Sequence, residues 1–145
     1  MRITLDTNVL VGGNDNASGI ARLILLLILR RGHILVLSQS ILYEVEEVLS
    51  YPRIKNLYRL TEVQARRYVD FLTEVAEIVD LGPPVQLPLT DRDDWAVLRT
   101  AIQGSVDVLC SSDGGFHKAP VAAFCAQYDL QIKTPAELLN DLDQR

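Results

Sequence analysis

Cysteine, histidine and long apolar runs are scarce in this chain, and each scarcity removes a class of protein. Two cysteines, Cys110 and Cys125, and two histidines, His33 and His117, occur in 145 residues. None of them stands at the spacing of a zinc site. Both cysteines lie in apolar surroundings, so they read as reduced core thiols of a cytoplasmic protein rather than as a disulfide framework. The longest apolar run, residues 23–29, is far short of the ~20 residues that span a bilayer, and no membrane contact is expected. That run reads either as one deeply buried helix or as a helix at the interface of a homodimer. A strand-like pattern begins at residue 3 with no apolar leader before it, so no signal peptide is expected. Neither Gly-x-Gly-x-x-Gly nor Gly-Lys-Ser/Thr occurs, which disfavours dinucleotide binding and P-loop nucleotide hydrolysis. Excess positive charge is missing too. The formal net charge is −5, which argues against general phosphate binding by the chain as a whole.

What is present is an ordinary globular composition, 48% hydrophobic and 23% charged, in a length that suits one domain over residues 1–145 with a sizeable core. Short apolar runs alternate with helical periods from end to end, the pattern of a parallel sheet covered by helices. Strands are expected at about 3–5, 34–37, 76–79, 106–110 and 130–132. Helices are expected at about 17–31, 40–50, 61–75, 92–103, 119–127 and 135–142. Ser38 or Ser40, Thr61, Asp91 and Thr134 are suited to cap helix N-termini, and Pro135 suits a first helical position. Gly32 and Gly104 sit where a left-handed residue would close a helix. The fold class is therefore α/β: a three-layer α/β/α sandwich around a central parallel sheet of about five strands.

Four acids stand out against this frame. Asp6 follows the first strand and Asp113 follows the fourth, in Cys110-Ser111-Ser112-Asp113. In open parallel sheets ligands bind beyond the carboxyl ends of the strands, so these two belong to one region. Gly114 and Gly115 would permit a tight turn there. Asp94 sits four residues before Leu98 and seven before Ala101, on the apolar stripe of its helix. A first-turn acid serving only the helix dipole could equally well face solvent, so its inward position points to a site. On the helix near residue 40 the apolar face is Ile41, Leu42, Val45, Val48 and Leu49. Glu44 and Glu46 flank that face on opposite sides, whereas Glu47 points away. Periodicity leaves Glu44 and Glu46 equal. His117 is a weak candidate for a base.

Gathering carboxylates is costly: two unit charges about 4 Å apart repel by about 4 kcal/mol at an effective dielectric near 20. A chain that gathers several has a cation to hold, and an oxygen-only donor set suits Mg²⁺ or Mn²⁺. A local basic stretch, Arg53, Lys55, Arg59, Arg66 and Arg67 against Glu62 alone, with Tyr51, Tyr58 and Tyr68 nearby, reads either as a solvated helical surface or as a surface that guides RNA.

The segments Ile3-Thr4-Leu5-Asp6-Thr7-Asn8-Val9-Leu10, Leu37-Ser38-Gln39-Ser40-Ile41-Leu42-Tyr43-Glu44-Val45, Asp91-Arg92-Asp93-Asp94-Trp95-Ala96-Val97-Leu98 and Asp107-Val108-Leu109-Cys110-Ser111-Ser112-Asp113, with the closing Ile132-Lys133-Thr134-Pro135-Ala136-Glu137-Leu138-Leu139, resemble a PIN-domain protein of the kind that forms the toxin component of prokaryotic toxin–antitoxin pairs. The likeness runs through essentially the whole chain, in order. It selects Glu44 over Glu46. It implies that Asp6, Glu44, Asp94 and Asp113 bind Mg²⁺ or Mn²⁺ and cleave single-stranded RNA with water, that Asn8 and Ser111 line the pocket, and that Asp91 is an accessory acid at its rim. It further implies a small antitoxin protein as partner. The chain departs from the family pattern at Ser111-Ser112-Asp113, where Thr-Gly-Asp is frequent, and at Gly114-Gly115-Phe116, where an acid and two leucines are more usual. The expectation is thus a metal-dependent ribonuclease toxin, with a catalytically weak PIN-like module for RNA or partner binding as its rival. A phosphatase using Asp6 as nucleophile would want a second acid two residues on, where Asn8 stands.

Overall fold

The computed structural model describes residues 1–82 and 92–144, with side chains 92–94 left out of the description. Five strands, β1 (Arg2–Leu5), β2 (Ile34–Ser38), β3 (Glu77–Val79), β4 (Val108–Cys110) and β5 (Gln131–Lys133), form one sheet in the order β3-β2-β1-β4-β5. Every pairing is parallel. The chain steps outward from β1 to β2 and β3, returns to the other side of β1 for β4, and ends at β5. Parallel neighbours need crossovers, which are right-handed, so connections running in the two directions lay helices on both faces. The result is a three-layer α/β/α sandwich. Consistent with burial on both faces, β1 and β4 read as nearly continuous buried runs: Ile3, Thr4, Leu5, Val108, Leu109 and Cys110 are all buried.

Eight α-helices lie within the described residues: α1 (Thr7–Val11), α2 (Ile20–Arg30), α3 (Gln39–Leu49), α4 (Pro52–Tyr58), α5 (Glu62–Val75), α6 (Arg92–Gln103), α7 (Ala119–Ala126) and α8 (Pro135–Asp143). Their starts follow local chemistry. Ser38, not Ser40, caps α3, its hydroxyl accepting from the Ile41 N–H. Thr61 and Thr134 form capping boxes with Gln64 and Glu137, each satisfying two otherwise unpaired N–H groups. Asp91, the expected cap of α6, lies outside the described residues.

Three short elements escape the periodicity: α1, α4 and a 3₁₀ turn at Gly114–His117. Each is one or two turns, too short to display a 3.6-residue pattern. Pro52 at the first turn of α4 was the readable sign. Helix α2 is shorter than expected, starting at Ile20. Its run is half-committed: Ile24, Leu25 and Ile28 are fully buried, while Ile20 and Leu23 are exposed.

The expectation for Gly104 needs correction. Gly32 takes the left-handed conformation at φ 73°, but beyond α6 the left-handed residue is Ser105 at φ 49°. Gly104 is glycine for space. A Cβ there would stand 2.5 Å from Val36 Cγ1 and 3.1 Å from the Thr100 carbonyl oxygen. That close approach lets α6 lie on β2.

Candidate active site

The strand order reverses between β1 and β4, and the crevice beyond their carboxyl ends is where a doubly wound sheet binds its ligand. Leu5 ends β1 and Cys110 ends β4, paired in register, so the residues that follow them emerge side by side. The Asp6 N–H still donates to the Cys110 carbonyl at 2.9 Å. Asp6 then leaves the sheet as the N-cap of α1, with extended backbone. Its carboxylate is 5% exposed and held at both oxygens: Oδ1 accepts from the Thr7 N–H at 2.7 Å, and Oδ2 from the Ser111 hydroxyl at 2.7 Å.

Ser111 is fully buried and joins two acids. Its Oγ accepts from the Asp113 N–H at 3.0 Å while donating to Asp6. Asp113 is exposed and caps the 3₁₀ turn, Oδ1 accepting from the Gly115 N–H at 2.9 Å. Neither Gly114 nor Gly115 has positive φ, so the turn does not depend on the glycine conformation anticipated for it. Buried Phe116 anchors the turn. His117 Nε2 lies 2.7 Å from the Ser111 carbonyl oxygen. That contact requires a proton on Nε2, so the ring holds the turn against the end of β4.

On the other side, Thr7 is buried and its hydroxyl donates to Glu44 Oε2 at 3.0 Å. Glu44 is thereby tied to the residue next to Asp6. Glu46 is exposed and pairs with Arg66 at 3.2 Å. Glu47 accepts from the Tyr51 hydroxyl at 3.3 Å. Asp113, Ser111, Asp6, Thr7 and Glu44 therefore form one continuous hydrogen-bonded series. Thr7 is the member for which the sequence offered no role beyond polarity. The available sign was its place between a strand-ending acid and a helix that must turn toward α3. Asn8 is exposed, with its carbonyl accepting from the Gly12 N–H. Asp94 belongs to the first turn of α6, but its side chain, like all of Asp91, lies outside the described residues. Among the described residues no group of three or more His, Cys, Asp or Glu side chains is gathered closely enough to hold a metal by itself.

Burial pushes the Asp6 carboxyl above its ordinary value, and the nearby Asp113 charge pushes the same way, against the hydrogen bonds from Ser111 and Thr7. The Cys110 thiol, buried below the site, is pushed up to about 12 by burial and by the charges of Asp6 and Glu137. It stays protonated and takes no part as a nucleophile.

The basic stretch occupies α4, its exit and α5. Lys55 lies 3.7 Å from Glu62, and Arg66 pairs with Glu46 and Asp70. Arg53, Arg59 and Arg67 are exposed, and none forms an ion pair among the described residues.

Parallel α/β architecture with a buried and a half-buried acid at its topological switch point defines the class of α/β domains that bind ligands beyond the carboxyl ends of their strands. Within that class the chain belongs to the PIN domain family, whose pattern it matches over residues 2–114. PIN domains are generally nucleases that use divalent metal ions. A chain in the crystal structure of VapBC2 from Rickettsia felis bound to a DNA fragment from their promoter superposes with a TM-score of 0.60 at 16% identity, covering 92% of this chain and 98% of that one. At that identity the likeness speaks for the fold. No curated protein matches the sequence.

Proposed function

We propose that this protein is a metal-dependent ribonuclease that hydrolyses phosphodiesters of single-stranded RNA, acting as the toxin of a cytoplasmic toxin–antitoxin pair. The observation that carries the reading is the buried Asp6 carboxylate at the switch point, joined through Ser111 to Asp113 and through Thr7 to Glu44. The donor set fits a hard cation. Its groups are carboxylate oxygens, and Asp6 bears a cost of burial and of Asp113's charge that its hydrogen bonds from Ser111 and Thr7 only partly offset and that a cation would relieve. Asp6, Glu44 and Asp113, with Asp94 from α6, would hold Mg²⁺ or Mn²⁺. Such an ion, when bound, supplies an acidified water and polarises a phosphoryl oxygen.

The chain's own groups do the positioning. Ser111 and the Thr7 N–H fix both oxygens of Asp6, and the Thr7 hydroxyl fixes Glu44. Arg53, Arg59 and Arg67 offer charge to an incoming RNA backbone, as lesser contributions do from Lys55 and Arg66, which neighbouring acids already engage. The partner assignment draws on the shared fold with a chain from VapBC2, and a homodimer through the exposed edge of α2 is the proposed assembly.

Cleavage of single-stranded RNA by the wild type and by Asp6→Asn, each with Mg²⁺, Mn²⁺ or EDTA, tests the activity. Cleavage by the wild type with metal, lost in EDTA and in the variant, is expected. Equal activity in every tube would sink the assignment. A second reading, a PIN-fold binding module, draws on Gly114-Gly115, which supply no acid beyond Asp113. RNA binding without metal-dependent cleavage would favour it.

A further inference from the structure

Helix α3 carries two opposite faces. Ile41, Leu42, Val45 and Leu49 are buried in the core. Ser40, Glu44 and Glu47, spaced at i, i+4 and i+7, form a stripe on another side, with Tyr43 beside Glu44 and Tyr51 just beyond the helix end, its hydroxyl donating to Glu47. These residues, with Val48 and with Ala96 of α6, line a recess of about 300 Å³, at the lower end of the range of about 300–1,000 Å³ for small-ligand sites. Two aromatic rings are thus open to solvent at the rim of the acid site, Tyr43 65% and Tyr51 45% exposed.

The chemistry of the recess selects its occupant. Its described lining holds two carboxylates, Glu44 and Glu47, and no Lys or Arg, so it repels a phosphate. A nucleobase is neutral, presents a flat face to a tyrosine ring, and bears exocyclic amino groups that carboxylates accept. We infer that Tyr43 and Tyr51 form a base-stacking subsite that holds one unstacked nucleobase of single-stranded RNA beside Glu44. The inference rests on the ribonuclease reading and adds the feature that selects single strands. In a duplex the base faces are covered by their neighbours, and stacking on tyrosine requires one to be freed. Glu44, which Thr7 ties to the Asp6 side of the crevice, makes the recess and the acid site continuous, so a stacked base places its own backbone next to the acids.

The test measures binding in EDTA, where cleavage plays no part. A single-stranded RNA hexamer carrying 2-aminopurine is titrated with wild type, Tyr43→Ala, Tyr43→Phe and the Tyr43→Ala/Tyr51→Ala pair. Stacking quenches the wild-type complex. Tyr43→Ala is expected to weaken binding within the 5- to 150-fold range that one base–aromatic stack spans and to relieve the quench. Tyr43→Phe, which keeps the ring, stays within about twofold of wild type, a rescue that loss of folding could not mimic. The paired variant loses at least as much as the single one. The hexamer annealed to its complement binds at least tenfold more weakly to the wild type. Unchanged affinity and quench in Tyr43→Ala, or equal binding of duplex and single strand, overturns the subsite. So does a Tyr43→Ala protein that loses self-association in sedimentation while keeping its RNA affinity, which would assign the rings to a second copy of the chain. Because the readout needs no metal, its failure is separate from failure of the nuclease, which shows in cleavage alone.

Discussion

Asp6 carries two opposed demands. A carboxylate that is 5% exposed and faces Asp113 is unfavourable for the metal-free fold, and its raised pKa expresses this. The sign follows from linkage. A folded pKa above the ordinary 3.8 means that Asp6 contributes stability below that pH and loses it as pH rises through the folded value. At neutral pH the ionised group is a liability. Asp6→Asn keeps an acceptor for the Thr7 N–H and sheds the charge, so without metal at pH 7 it should melt above the wild type. A gain of 1 kcal/mol would appear as about 2–4 °C in a domain of this size. The advantage should shrink as pH falls toward 4. Calorimetry of both proteins in EDTA at pH 4 and 7 checks this, and a variant that melts below the wild type at pH 7 contradicts it. Thr7→Val is the complementary change. It leaves Glu44 without its hydroxyl donor and puts an apolar group against a half-buried acid. A cost of about 1–3 kcal/mol is expected, with activity lost more steeply than stability, measured by urea melts beside cleavage rates.

At the scale of elements, backbone strain and close packing make the predictions. Arg59 closes α4 in the left-handed conformation, φ 52°, which costs an L-residue about 1–2 kcal/mol and glycine almost nothing. Arg59→Gly should therefore raise stability by about 1 kcal/mol while weakening RNA binding. The salt dependence of that binding should flatten by about 0.7 per lost phosphate contact. A thermal melt and a salt titration of affinity read the two effects separately. Gly104→Ala should do the reverse of a helpful substitution. Its Cβ would meet Val36 Cγ1 at 2.5 Å, and overpacking of that kind costs about 1–3 kcal/mol. These two positions also mark where sequence reading stops. Long helices and apolar strands were legible because period and capping repeat over ten residues or express a fixed local bond, as at Thr61 and Thr134. Whether a glycine serves conformation or space depends on a neighbour 68 positions away in the chain, Val36. In the candidate site, the nearness of Asp6 to Asp113, which Ser111 joins, was legible from strand position. What sets Glu44 apart from the exposed, Arg66-paired Glu46 is its bond to Thr7 across 37 residues, which no local pattern encodes.

At the scale of the whole molecule, Asp6, Ser111 and Asp113 meet because the sheet reverses direction at β1. Asp6 and Ser111 come from neighbouring strand ends and Glu44 from α3, and the further ligand proposed, Asp94, belongs to the start of α6, so the proposed ligand set requires four chain segments to be in place before a cation is held. Metal binding is then binding to the native state alone, and its free energy adds to folding stability by mass action, about 2.7 kcal/mol at a hundredfold excess over Kd. For a domain of about this size that corresponds to a rise in Tm of roughly 5–10 °C. Mn²⁺ should produce such a rise in the wild type, EDTA should remove it, and Ca²⁺, which favours more ligands at longer distances, should produce less. Asp6→Asn should begin from its higher metal-free Tm and gain little. The two melting curves therefore cross in order as Mn²⁺ is added: the variant is the more stable protein without metal and the less stable one with it. A thermal-shift titration across Mn²⁺ concentrations reads that crossing directly. Parallel curves that rise together would place the cation elsewhere on the protein and remove Asp6 from its ligands.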